Sequence, residues 1–398
     1  MQTPALSSRG LERRIKRHLT GLPGQFAAIT TPGFEPYTGR EIAALPGAAI
    51  SRAEKGIVEF SGPFELVYAA NLRCRTANRI LLRIATFTVR SYPELYNKLG
   101  RINWELYVGF IPQVSFTVSS TGSRLHHTQH IAESAFSALR DYMKALGVTV
   151  GCDDTAPLKF FIRIADDICT LSIDSSGELL YKRGFRQATG RAPLRETTAA
   201  VLLAAVGWEK YETIADPCCG SGALIAEALL QVHRIQPGSE RPFAFSSWPS
   251  FSKPAWEHLK KNVAADTAVT VPRAIYAADT DPSAVERVRL NCSRFLTDER
   301  LVIVQQDCRT FNSRREYGNR GLIISNLPYG KRIGVAGSSM DEFYAAIGRS
   351  FKKNCRGWDF AFLVADPQFE RKSGLNGKPL LTFTNGGIRV RLVQGTVG

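Results

Sequence analysis

Beyond Pro193 the chain alternates short apolar runs with helical segments, and that alternation limits its fold more than any other feature. The runs at 214–216, 274–278, 301–305, 322–325 and 360–364 read as strands. Continuous apolar runs with helices between them belong to a parallel sheet buried on both faces. The end of the chain differs. Residues 380–383 and 388–393 flank Asn385-Gly386-Gly387, a strong signal for an antiparallel hairpin. The pattern predicts an α/β domain with a parallel sheet closed by a hairpin.

The chain before Pro193 has another rhythm. Residues 26–30 are strand-like, Pro32-Gly33 turns, and a helix follows over about 35–45; 57–60 is a short strand, and Pro63 opens a helix through Leu72. This reads as a small α+β unit. Residues 114–118 alternate as a strand, and 131–146 has helical period with Ile131, Ala135, Leu139 and Met143 on one face. Residues 159–164 and 168–173 look like a strand pair. The Gly- and Arg-rich stretch 184–193 (GFRQATGRAP) is the best linker. The expected organisation is a basic extension (1–24), an α+β domain (25–175) and the parallel-sheet domain (176–398). No internal repeat is visible.

Composition narrows the partner. The 398 residues carry 51 Lys+Arg against 36 Asp+Glu, a net charge of +15 shared by both halves. Such an excess suits a polyanion, nucleic acid first, unless it is simply a solvated basic surface. No run approaches the length of a membrane span, and no apolar leader is visible. The amphipathic stretch 9–19 (RGLERRIKRHL) resembles a transit peptide only loosely, because Glu12 interrupts it. The eight cysteines show no C-x-x-C spacing, and His126, His127 and His130 lack a nearby cysteine, so no zinc site is expected. Scattered cysteines read as reduced thiols and a cytoplasmic location.

The chemistry gathers at strand ends. Asp216-Pro217-Cys218-Cys219-Gly220-Ser221-Gly222 joins the first strand of the sheet to its helix. Its glycines let the backbone turn sharply and approach a ligand. Asp279 ends the second strand, where a carboxylate can accept both hydroxyls of a ribose. Asp281 reads instead as the cap of a helix starting at Pro282. Asp307 follows the third strand and can accept from an adenine amine. Any one of these acids alone reads as a mere cap; three in succession beside a Gly-rich turn fit an adenosyl ligand better. Asn326-Leu327-Pro328-Tyr329-Gly330 ends the fourth strand. The Asn326 side-chain oxygen and the Leu327 carbonyl can accept both N–H groups of an exocyclic amine and aim its lone pair at an electrophilic methyl. Pro328 stiffens the turn, and Tyr329 offers a ring to a flipped-out base. The bland reading of the same residues is a Pro–Gly turn.

Taken together these segments resemble S-adenosylmethionine-dependent RNA guanine-N2 methyltransferases that carry an N-terminal THUMP RNA-binding domain. ADPCCGSGALIAEA and SNLPYGKR are similar to the family's cofactor and catalytic motifs. TTPGFEPYTGREIAAL, SIDSSGELLYKRGFR, APLRETTAAVLLAAVGW and NGGIRVRL also match. Cys218, Cys219 and Ala223 are mild departures. The resemblance implies a Rossmann-like class I methyltransferase domain with the closing β-hairpin, preceded by a ferredoxin-like and THUMP region. It implies cofactor contacts from Asp216, Pro217, Cys219, Gly220, Ser221, Gly222, Asp279, Thr280, Asp307 and Cys308, and from Leu194, Glu196 and Thr197 at the start of a covering helix. Catalysis would fall to Asn326, Leu327, Pro328 and Tyr329, with no metal.

RNA contacts are expected from Arg73, Arg75, Arg79, Arg124, Arg183, Arg186, Lys331 and Arg332. Arg75, Arg79 and Arg83 recur every four residues and would form a basic stripe if helical; a solvated helix face is the rival reading. The insertion between the first two strands of the sheet (PGSERPFAFSSWPSFSKPAWEHLKKN) is similar to enzymes of the RlmL and YpsC type, which act on 23S ribosomal RNA. Leu327 in NLPYG is closer to tRNA enzymes. The longer signal favours ribosomal RNA, as 23S RNA or within a pre-50S particle. A tRNA guanosine, an adenine amine in DNA and a non-catalytic assembly factor are the alternatives.

Overall fold

In the computed structural model, residues 6–188, 190, 193–262, 272–312, 320–328 and 340–398 are described. The chain forms two compact units, one of Met1–Thr30, Thr38–Leu180 and Arg241–Val263, the other of Thr31–Tyr37, Tyr181–Glu240 and Ala264–Gly398.

The first unit is built on an eight-stranded sheet. Its strands are β1 (Gly24–Ile29), β2 (Ala49–Glu54), β3 (Ile57–Gly62), β4 (Arg79–Thr88), β5 (Gln113–Thr121), β6 (Gly151–Cys152), β7 (Lys159–Ala165) and β8 (Ile168–Asp174). They lie in the order β2-β3-β1-β4-β8-β7-β5-β6. With helices Glu35–Ala43 and Leu66–Arg73, β1 to β4 make a βαββαβ unit of ferredoxin-like order. β5 runs parallel to β7 and to β6; the other pairs are antiparallel. Helix Thr128–Ala145 buries Ile131, Ala135, Leu139 and Met143, the face that its period predicted. The amphipathic N-terminal stretch is also helical. Its α-helix Ser8–Ile15, capped by Ser7, runs into a π-turn Lys16–Thr20 and buries Leu11, Ile15 and Leu19.

Two expectations for this unit change. Residues 79–88 are a strand paired with β1 and β8, so Arg75, Arg79 and Arg83 form no helical stripe. The apolar Ile80, Leu81 and Leu82 are all buried in the sheet interior, which a one-faced helix would not require. The insertion also packs differently from its place in the sequence. Residues 241–263 join the first unit because Phe243, Phe245 and Trp248 bury themselves in its core. Phe245 and Trp256 ring the buried Tyr68 at 4.8 and 6.3 Å, and the Tyr68 hydroxyl accepts from the Ser252 amide at 3.1 Å.

The second unit carries the parallel sheet. Its strands are β9 (Thr213–Asp216), β10 (Ala274–Asp279), β11 (Leu301–Gln305), β12 (Gly321–Asn326), β13 (Asp359–Val364), β14 (Gly377–Asn385) and β15 (Ile388–Thr396), in the order β11-β10-β9-β12-β13-β15-β14. β9 to β13 are parallel, and β15 closes antiparallel against β13 and β14. Gly386 and Gly387 form the two-residue hairpin turn at φ 58° and 82°, a conformation that costs any side chain. The chain order reverses between β9 and β12, and in open parallel sheets that crevice is where ligands bind. Among the described residues no helix is long and apolar enough to cross a membrane.

Candidate active site

The carboxyl ends of β9, β10 and β12 bring the expected residues together. Asp216, the last residue of β9, is 2% exposed. Its carboxylate accepts from the Ser325 hydroxyl on β12 and from the Cys218 amide at 3.2 Å. Burial outweighs both bonds and pushes this carboxyl up to about 7. The loop after it turns through Gly220 at φ 55° and Gly222 at φ 79°. A side chain at Gly222 would press on Val288 at 3.1 Å, whereas nothing lies within 4 Å of the Cβ position at Gly220. Gly222 is needed to seat the helix Ala223–Val232, and Gly220 leaves room for a ligand.

Asp279 at the end of β10 ties that loop down: its Oδ2 accepts from the Gly220 amide at 2.9 Å and its Oδ1 from the Asp281 amide at 3.0 Å. Asp281 caps the helix Pro282–Asn291 through the Ser283 amide at 2.9 Å, as its spacing predicted. Thr280 beside them is exposed. Asp307 starts a short 3-10 turn, and the Arg309 guanidinium beside it holds its carboxyl below the usual range. Cys308 is buried behind it. Pro217 and Cys219 are likewise buried in the loop.

A covering segment completes the second unit's site. Leu194 is buried, and Glu196 and Thr197 open helix Glu196–Val206. Glu196 is 4% exposed; its Oε1 accepts from Arg186 at 2.8 Å, while its Oε2 has no partner. Burial pushes its carboxyl up despite that arginine. Arg186 also donates to the Ser221 hydroxyl at 2.5 Å. Asn291 makes the companion clasp: its Oδ1 accepts from the Gln187 and Ala188 amides, both at 2.9 Å, and its Nδ2 donates to the Ser221 carbonyl at 3.0 Å. Sequence reasoning missed Asn291 and Ser325. Ser325 directly precedes Asn326 in SNLPYG; Asn291 lies at a helix end and carries no motif signal.

Asn326 ends β12, level with Leu363 of β13. Its side-chain oxygen is buried and has no hydrogen-bond partner among the described residues. Leu327 is 1% exposed and Pro328 half-buried. Tyr329, Lys331 and Arg332 lie outside the described residues.

The arginines expected on RNA divide. Arg183 is 1% exposed and faces Glu227 at 3.7 Å, so it is a buried structural cation and no phosphate contact. Arg186 is spent on Glu196 and Ser221. In the first unit, Arg79 pairs with Asp174 and donates to the Gly177 carbonyl at 2.8 Å. Arg73 and Arg75 are half-buried near the end of helix Leu66–Arg73. Arg124 is open to solvent, 3.9 Å from Asp167.

Five parallel strands closed by a hairpin, with two acids and a Gly-rich loop facing an Asn-Leu-Pro turn across the switch point, define a Rossmann-like methyltransferase. The chain belongs to the UPF0020 family, the RMKL-like methyltransferase domain, whose sequence model matches residues 183–393. The RlmL ferredoxin-like domain matches residues 25–81. The putative RNA methyltransferase slr0064 of Synechocystis is 30% identical over 384 residues, covering 93% of this chain and 97% of its own length. The ribosomal RNA large subunit methyltransferase K/L of Pseudomonas paraeruginosa is 29% identical over 377 residues, which cover 92% of this chain and 52% of that enzyme. The chain therefore spans about half the length of that relative. Among solved structures, SMU.472, a putative methyltransferase complexed with SAH, matches with a TM-score of 0.81 and 27% identity over 94% of this chain and 98% of that one.

Proposed function

We propose that this protein transfers a methyl group from S-adenosylmethionine to the exocyclic N2 amine of a guanosine in 23S ribosomal RNA. The observation that carries the reading is the buried, unpartnered Asn326 side-chain oxygen at the end of β12. An orphaned buried acceptor is costly unless a ligand donates to it. An amine N–H placed there, with the second N–H on the Leu327 carbonyl, has its lone pair turned out of the base plane.

The residues present fit the cofactor. Gly220 leaves open space beside two carboxylates, and Glu196 Oε2 awaits a donor. Asp279 would hold the ribose hydroxyls, Asp216 and Glu196 would face the cationic amino acid end, and Asp307 and Cys308 would border the adenine. The bound cofactor supplies an electrophilic methyl group on a sulfonium. The chain's own task is then to orient the amine in line and to exclude water, which is where most of the rate in such a transfer arises. The K/L relative, which by name acts on large-subunit ribosomal RNA, supports the choice of RNA. The first unit, read as ferredoxin-like and THUMP, would grip that RNA, with Arg124 as one contact.

The test offers unmodified large-subunit ribosomal RNA and bulk tRNA separately with radiolabelled S-adenosylmethionine. Label in the ribosomal RNA alone is expected. Label confined to tRNA would transfer the reading to the substrate that Leu327 suggested, and label in neither would end the reading.

A further inference from the structure

The N-terminal helical segment and the 241–263 insertion belong to one unit and meet over one residue. Gly109, at φ 56°, has no room for a side chain: its Cβ position lies 2.6 Å from Pro249 of the insertion and 3.4 Å from Leu11 of the N-terminal helix. Four residues past Pro249 begins helix Lys253–Lys261. Both helices spend their apolar faces on the same core, the first through Leu11, Ile15 and Leu19, the second through Ala255, Trp256 and Leu259. Both turn cations to solvent. Among the described residues, Arg9, Arg13, Lys16, Arg17, Lys253 and Lys261 are exposed and make no ion pair. Arg14 is different: it anchors its helix through the buried Glu105 at 2.5 Å.

Local stability does not ask for all of this charge. Cations in a last turn complement the helix dipole, which accounts for Arg13 and Lys261. Arg9 and Lys253 sit in first turns that hold no acid, where the dipole disfavours a cation. A membrane surface is a poor partner, because an interfacial helix needs a free apolar face: the first helix's is buried and the second's is partly buried against the same core.

We infer that these two helices form an RNA-contact surface of the first unit that holds the phosphate backbone of the substrate RNA. The inference rests on the proposed function for the identity of that RNA. Residues 6–20 lie outside both matched family segments, whereas helix Lys253–Lys261 lies inside the 183–393 match.

The test is the double variant Arg9→Glu with Lys253→Glu in the full chain. Acids in both first turns favour the helices, so the melting temperature holds or rises. Binding to protein-free large-subunit ribosomal RNA should weaken about tenfold or more between about 50 and 200 mM salt. The slope of log K against log salt should shrink by about 1.5, close to two released counterions. KM for the RNA rises while kcat and S-adenosylmethionine affinity stay put, and Arg9→Lys with Lys253→Arg keeps wild-type binding. Unchanged affinity and slope in the double variant, while the wild type still methylates the RNA, would overturn the surface alone. A wild type that methylates no ribosomal RNA instead refutes the functional reading. Loss of binding to vesicles of equal phosphatidylcholine and phosphatidylserine, with RNA affinity intact, would overturn the surface in favour of a membrane.

Discussion

Among the described residues Asn326 Oδ1 is a buried acceptor with no donor, and its removal should separate chemistry from binding. Asn326→Ala should lower kcat by about 100-fold or more, the scale for losing a group that orients a reacting atom. Calorimetric affinity for S-adenosylmethionine should change little. Asp279→Ala should do the reverse, weakening cofactor binding by about tenfold to a hundredfold, as lost hydrogen bonds to a charged group do; unchanged affinity would move the ribose contact elsewhere. Asp216 titrates. Its folded value of about 7 lies above the ordinary 3.8, because burial disfavours the anion. The protonated form thus contributes stability that is full below pH 3.8 and lost as pH rises through about 7. Denaturation of Asp216→Asn should lack that decline. A cationic ligand draws the ionised form, so S-adenosylmethionine binding near pH 6 should release a proton, seen as a dependence of the calorimetric heat on buffer ionisation. The acids and Asn326 were legible in the sequence because each ends an apolar run. The Ser325 bond to Asp216 was not, because it joins strands 109 residues apart.

At the scale of elements, the segment 181–188 is clasped to the Gly-rich loop by Arg186 and Asn291. Arg186→Ala would leave Glu196 buried with neither oxygen paired, a loss of about 3 kcal/mol or more from breaking a buried ion pair. Chemical denaturation should show it, and saturating cofactor should restore part of it by mass action. An equally stable Arg186→Ala would show that the clasp holds nothing. The parallel strands and the closing hairpin were readable because their apolar runs are short and Asn-Gly-Gly admits few turns. Arg75, Arg79 and Arg83 misled, since a four-residue spacing reports a helix face only where a helix forms. Here Arg79 and Arg83 lie on β4, and their charges meet Asp174 on the adjacent β8 and Glu59 on β3, one strand beyond β1. Partners that distant leave no mark in local periodicity.

The whole molecule combines a parallel sheet that carries the candidate methyl-transfer site with a unit whose helices and insertion carry outward charge. The insertion was visible as added length, but its packing on the first unit was not. Only the fold shows Phe243, Phe245 and Trp248 finding a core around Tyr68. Shortening 241–263 should therefore destabilise the first unit's core before it touches cofactor binding. Hydrogen exchange should find the lost protection around helix Leu66–Arg73. The atom that receives the methyl group decides what this protein does. The most direct measurement digests unmodified large-subunit ribosomal RNA after incubation with the protein and methyl-labelled S-adenosylmethionine, then identifies the labelled nucleoside by mass spectrometry. N2-methylguanosine is expected, absent with Asn326→Ala; N6-methyladenosine, or label that survives Asn326→Ala undiminished, would contradict the role given to Asn326.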